Sequence, residues 1–280
     1  MSNLEKILSL WGEKKVYPEP NVKYDSEGIP MFRPWWVKDT SVYIYPPLTI
    51  CNHAIQYRNT VPAYAIKCVH WIQRSCWKIA KEGMHYSVLP WTSIPYRWDS
   101  HATGKQYFYD PPLVGGDFNG RAICALIAHY VKWGWDSLLD LAIRLGRAFL
   151  EEPIWYGCVA RRIKNEKGEV FDLELPVAWT NPKMKPFATL ILNEMLYGLL
   201  GLLALCEVAN DYAIEVRAEE LVDNVGSILY KFKRGSTWYY DITYYNRAPP
   251  SYITTVKKQI KIIAEITGNS DFIRASRWFT

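Results

Sequence analysis

The sequence predicts a mainly α fold, an (α/α) toroid or incomplete barrel of antiparallel helix pairs with short β-hairpins in the loops. Three observations predict it. Stretches with apolar residues at helical spacing recur in pairs along the 280 residues. Short turns join the members of each pair, whereas long loops rich in aromatic, Pro and charged residues separate one pair from the next. No exact sequence repeat accompanies the pairs. Such loops fit a four-helix bundle poorly; in a toroid they collect at one end and make a groove for a chain-like ligand. The whole chain, 1–280, reads as a single domain.

The elements follow in order. Leu4, Ile7, Leu8 and Trp11 describe an amphipathic first helix. With Glu5 inside its short apolar run, it reads as neither a signal peptide nor a membrane span, and the expected location is cytoplasmic. Residues 16–47 form an extended, turn-rich segment wrapping the body. Helices are expected over 48–59 and over 62–83. The second carries apolar residues at Ala65, Val69, Ile72, Cys76 and Ile79 and stops at Gly83. Alternation and prolines make 85–98 short strands or loops. A second pair spans 116–134 and 136–152, with Asp136 as N-cap. The tract 155–177 reads as a hairpin turning at Asn165 to Gly168. A third pair covers 188–209 and 211–233, and a fourth covers 252–266 and 270–278. The strongly apolar tract 190–206 carries Glu194 near its start and reads as a buried core helix rather than a span.

Composition narrows the function. Hydrophobic residues make up 49% and charged residues 22%, as in a globular chain. The 20 Tyr and 13 Trp suit sugar binding, since ring faces cover C–H patches while OH and NH groups hydrogen-bond; a packed aromatic core is the other use of such rings. The net charge of +5 is dispersed and fits an acidic sugar polymer. No helix-turn-helix, zinc-finger or aromatic RNA-binding signature is present, so nucleic acid is not an expected partner. Cys51, Cys68, Cys76, Cys124, Cys158 and Cys206 show no CxxC pairing and read as free thiols. The five histidines are isolated, without HExxH, and there is no nucleotide-binding glycine fingerprint. No metal and no cofactor is expected.

Six segments occur in a telling order: YDSEGIPM (24–31), YPPLTICNHAIQYRN (45–59), PPLVGGDFNGRAICALIAHY (111–130), LILNEMLYGLLGLLAL (190–205), WYYDI (238–242) and PSYITTVKKQIKIIAEITG (250–268). Together they resemble the C-terminal catalytic domain of the heparosan glucuronyl 5-epimerases. The resemblance implies the toroid fold, a tendency to form homodimers and an acidic oligosaccharide or polysaccharide as substrate. It also implies the reaction, inversion of carbon 5 of a glucuronate unit to give iduronate. The hydrogen removed is α to a carboxylate. Its removal demands a base on one face, an acid on the other, and cations or donors at the carboxylate. Tyrosine serves when a nearby positive charge pulls its pKa down from about 10.

Carried over position by position, the resemblance makes Tyr252 catalytic, with Glu174 and Tyr240 as its partners. Tyr252 opens the last long helix, where the positive dipole end would favour a phenolate. Asn193, Tyr197, Trp238, Tyr239, Tyr244, Asp241, Gln259, Arg161 and Arg247 are the candidate sugar-binding residues. Three positions depart from the family pattern. Leu175 stands for a Tyr after Glu174, Thr243 for an Arg after Tyr240-Asp241-Ile242, and Val256 for a His. Tyr239, Tyr244 or Tyr245 would then supply the second phenol, and Arg247, Arg161, Arg162 or Lys257 the cation. Two alternatives stay open. One is a divergent relative acting as a lyase, or as a glycoside hydrolase pairing Glu174 with Asp117 or Asp241. The other is a non-catalytic glycan-binding protein.

Overall fold

The computed structural model describes residues 1–280 apart from 16, 20–21, 93, 100–103, 153–155, 166, 179–189 and 280. It is mainly helical. Helix α1 (Asn3–Leu8) starts at a capping box, in which the Ser2 hydroxyl accepts from the Glu5 N–H and the Glu5 carboxylate accepts from the Ser2 N–H. A 3-10 turn, Ser9–Trp11, continues it. In the segment that follows, β1 (Lys23–Tyr24) pairs with β2 (Pro30–Met31), and a bridge from Phe32 to Ile44 folds the next stretch back on itself.

Helices α2 (Pro47–Gln56) and α3 (Pro62–Ser75) both start on a proline, whose missing N–H costs nothing there. Ala65, Val69 and Ile72 are buried as their spacing requires, but α3 ends at Ser75 rather than Gly83. Strand β3 (Trp77–Lys81) pairs with β4 (Met84–Val88) around Glu82-Gly83, both at positive φ. That two-residue turn, matched to strand twist, carries Cys76 and Ile79 out of the helix. Strand β5 (Tyr96–Asp99) pairs with β6 (Gln106–Tyr109). Helix α4 (Gly116–Trp133) is buried from end to end until its last turn, and Gly134 ends it in the left-handed region. Trp135, not Asp136, is the N-cap of α5 (Asp136–Arg147); the Asp136 carboxylate sits in the first turn, where the helix dipole favours it.

The expected hairpin is nested. β7 (Val159–Ala160) pairs with β10 (Leu175–Pro176), and inside them β8 (Ile163–Lys164) pairs with β9 (Val170–Phe171) around Asn165 to Gly168. Helices α6 (Leu192–Cys206) and α7 (Tyr212–Ile228) follow, and the expected start of the first at 188 lies outside the described residues. After β11 (Lys233–Arg234) and β12 (Thr237–Trp238) come α8 (Pro250–Thr267) and α9 (Ser270–Ser276).

Successive helices pack as pairs: α2 on α3, α4 on α5, α6 on α7 and α8 on α9. Helices α4 and α6 make the hub, with α2 against α4 and α8 against α6. Glycines permit their approach. A Cβ on Gly120 would strike the Tyr197 carbonyl and the Gly198 Cα, and one on Gly201 would strike the Gly120 backbone. This crossing sets Asp117 and Arg121 of α4 beside Tyr197 of α6. The six cysteines are free, four of them fully buried. Among the described residues no helix is long and apolar enough to cross a membrane, and no group of three His, Cys, Asp or Glu could hold a metal ion.

Candidate active site

Strand β5 and the loop from Tyr240 to Pro249 line one open cavity of about 330 Å³. Tyr96, Arg97 and Asp99 come from the strand, Tyr240, Asn246, Arg247 and Pro249 from the loop, and Trp35 closes the rim. Two contacts tie these pieces together. The Asn246 side-chain amide donates to the Asp99 carbonyl at 3.2 Å, joining loop to strand. Arg97 forks onto the Asp99 carboxylate at 2.9 and 3.1 Å while its guanidinium lies 5.2 Å from the Trp35 ring.

Beneath this cavity the Tyr240 hydroxyl faces Glu194 Oε1 at 3.5 Å. Glu194 stands in the first turn of α6 and is buried. Burial, reinforced by the negative Glu194, pushes the Tyr240 phenol well above its ordinary pKa. Tyr96 is pushed up in the same way, by burial first and then by Glu194 and Asp117. Both phenols therefore hold their protons in the resting site. One layer deeper, Asp117 accepts from Arg121 at 2.6 Å, and the Arg121 guanidinium also reaches Asn52 and covers the Tyr197 ring at 3.5 Å. Burial raises the Asp117 carboxyl against the pull of Arg121.

The loop owes its shape to Asp241. Its carboxylate is wholly buried and accepts the N–H groups of Tyr244 at 2.5 Å and Asn246 at 3.3 Å. Burial raises its pKa to about 7, although these N–H groups pull the other way. Asp241 thus holds the backbone that presents Asn246 and Arg247, and it has no exposed surface with which to touch a sugar.

Of the residues singled out from sequence, Tyr240 and Arg247 line the cavity. Tyr252 does not open onto it. Its hydroxyl accepts from the Asn193 N–H and donates to the Tyr240 carbonyl, both at 2.9 Å, and burial raises its pKa rather than the helix dipole lowering it. The ring packs 4.5 Å from that of Tyr240. Gln259, fully buried, donates to the Asn193 carbonyl at 3.0 Å and so braces the start of α6. Tyr197 is buried between Arg121 and Trp11. Tyr244 is buried with its hydroxyl on that of Tyr109. Tyr239 meets Tyr245 edge-on at 5.5 Å, and Trp238 leans toward Trp278 at 6.1 Å. The strand expected over 238–242 is limited to β12, with single bridges from Tyr239 to Arg247 and from Asp241 to Ile191 beyond it.

Glu174 and Tyr252 are not brought together. Glu174 is ion-paired with Arg161 and with Arg217 of α7, next to a different surface cavity lined by Arg161, Tyr212 and Arg217. Asp117 and Asp241, the carboxylates named for a hydrolase pairing with Glu174, are both 0% exposed. Sequence reasoning missed Glu194, Tyr96, Arg97, Asn246 and Trp35. A signal for Glu194 existed: a charged residue inside the most apolar tract must have a polar partner when buried.

Fold and site define the class first: a mainly helical domain that gathers phenol, carboxylate and guanidinium groups round one open cavity. Within that class, the chain belongs to the family described as D-glucuronyl C5-epimerase C-terminus, whose sequence model matches residues 91–280. The match takes in every cavity residue except Trp35. No curated protein matches the chain.

Proposed function

We propose that the protein is a carbohydrate epimerase that inverts carbon 5 of a uronic acid unit, glucuronate to iduronate, within an acidic oligosaccharide or polysaccharide. In this reading the helix pairs close into an (α/α) toroid with the cavity at its loop end. The observation that carries the proposal is the Tyr240–Glu194 pair beneath a cavity rimmed by Arg97 and Arg247, inside the family-matched residues.

The sugar carboxylate lies toward Arg97 and Arg247, which stabilise the charge that builds on it. Tyr240 takes the C5 proton while its own hydroxyl proton passes to Glu194. The electron pair of the broken C–H bond stays on C5 and spreads into the carboxylate. Tyr96 then gives its hydroxyl proton to the opposite face of C5. The proton held on Glu194 exchanges with solvent as Tyr96 is reprotonated, so the protein ends each turnover unchanged. Tyr252, through its bond to the Tyr240 carbonyl, is a positioning residue, and Glu174 is an ion-pair anchor of the hairpin that β7 and β10 close. The long resting distance between Tyr240 and Glu194 is one that substrate closure would shorten.

Incubation with glucuronate-containing oligosaccharides in deuterated water tests this. Deuterium at C5 without chain cleavage is the expected result. Cleavage with unsaturation would make the protein a lyase, and binding without exchange a glycan-binding protein; either contradicts the proposal.

A further inference from the structure

A second cavity, of about 270 Å³, opens at the head of α2 and the end of α3. Three aromatic residues line it, Tyr45, Trp71 and Trp77, together with Arg74, Pro90 and Thr92. Tyr45 and Trp77 are each 38% exposed, while Trp71 is 8% exposed, so two rings offer a face to solvent and the third forms a floor. Neither indole N–H has a partner among the described residues. Among the described residues Arg74 is held only by Glu27, at 2.6 Å, and both side chains are more than half exposed. An ion pair that open contributes little and can be exchanged for another carboxylate.

This cavity and the first are lined by different residues, but neighbouring segments connect them. The segment folded back by the Phe32–Ile44 bridge contributes Trp35 to one and Tyr45 to the other. Pro90 and Thr92 flank Trp91, whose ring meets Tyr96 of the catalytic cavity edge-on at 5.6 Å. The geometry points to a second sugar subsite on one glycan path, taking a uronate unit remote from the reacting one. Its ring stacks against Trp77 and Tyr45, its hydroxyls meet the indole N–H groups, and its carboxylate replaces Glu27 on Arg74. Of its lining residues only Thr92 falls within the family-matched 91–280. The subsite thus lies mostly outside the residues that the family model matches, whereas the reacting centre lies mostly inside them. This inference rests on the epimerase reading.

The test measures C5 deuterium exchange on glucuronate-containing di-, tetra- and hexasaccharides. In the unmodified protein kcat/KM rises with length. In Trp77→Ala and Arg74→Ala, both at exposed positions, the hexasaccharide loses about tenfold relative to the disaccharide. An identical length dependence in the variants overturns the subsite while leaving the epimerase reading intact. If the unmodified protein exchanges nothing at any length, the epimerase reading fails, and titration of tryptophan fluorescence with the hexasaccharide decides the subsite separately. The expected result there is about tenfold weaker binding by Arg74→Ala, and about tenfold weaker binding of a carboxyl-reduced hexasaccharide by the unmodified protein. Equal affinities in both comparisons overturn the subsite.

Discussion

Two places in this molecule gather tyrosines round a glutamate, and they differ in what surrounds the carboxylate. Beside α2 and α3, Glu19 accepts from Lys14 at 2.7 and 2.8 Å, faces His53 at 3.0 Å and accepts from Tyr57 at 3.2 Å. Tyr64 closes on the other His53 nitrogen at 2.6 Å, and Tyr17 stacks on Tyr64 at 3.9 Å. Burial alone would raise Glu19, but the Lys14 hydrogen bonds hold its carboxyl below the ordinary range. Each of these polar groups has a partner, and the cluster pins Lys14, Tyr17 and Glu19 to the helices. At the head of α6, Glu194 has Tyr240 at 3.5 Å, and the cations stand on the rim of a cavity with room for a substrate. A phenol beside a carboxylate is thus an ordinary staple. Open space with cations on its rim is what marks the second cluster as the candidate site.

The largest expected effect is on activity. Glu194→Gln lowers C5 exchange by about 10²–10⁴-fold, whereas Glu19→Gln leaves turnover near that of the unmodified protein and lowers the melting temperature. Next is Gly120→Ala, which forces α4 away from α6 and is expected to cost about 3 kcal/mol in denaturant unfolding. A cost under about 0.5 kcal/mol would mean that the helix crossing does not set the site.

Tyr252→Phe leaves the Asn193 N–H without its acceptor and the Tyr240 carbonyl without this donor. It should cost about 1–3 kcal/mol of stability and less than about tenfold in exchange. A loss of exchange as deep as that of Glu194→Gln would move Tyr252 into the chemistry.

The smallest effect is on pH dependence. Burial lowers His53 to about 4 despite Glu19, so between about 4 and 6.5 the folded state binds fewer protons than the unfolded chain. This cluster therefore gains stability as pH rises through that window. Asp241 is raised to about 7, so between about 4 and 7 the folded state binds more protons and stability is lost as pH rises. Melting curves of Asp241→Asn near pH 5 and near pH 8 should show the variant improving relative to the unmodified protein at the higher pH.

The helices were legible because their apolar spacing coincides with burial: Ile7, Ala65, Val69, Ile72, Leu141 and Leu145 all face the core. The end of α3 was not, because Cys76 and Ile79 continue a helical spacing that the Glu82-Gly83 turn overrides. In the site, Tyr240 and Arg247 stand out in an aromatic loop, but Glu194 is hidden by its apolar neighbours. Tyr96 and Arg97 reach the cavity through a strand pairing and a loop bond to Asn246 that local sequence does not encode. The surroundings of Tyr252 were not legible, because its place in the first turn of α8 says nothing of which groups its hydroxyl meets. Asn193 and Tyr240, remote in sequence, take both sides of it.

The contrast between the two clusters is tested most directly by paired variants, Tyr240→Phe and Tyr57→Phe, each removing one hydroxyl from beside one glutamate. Solvent-deuterium exchange at C5 of a glucuronate hexasaccharide should fall by about 10²–10⁴-fold in the first and stay within about twofold in the second. Equal exchange by the two variants would contradict the assignment of the chemistry to Tyr240 and Glu194.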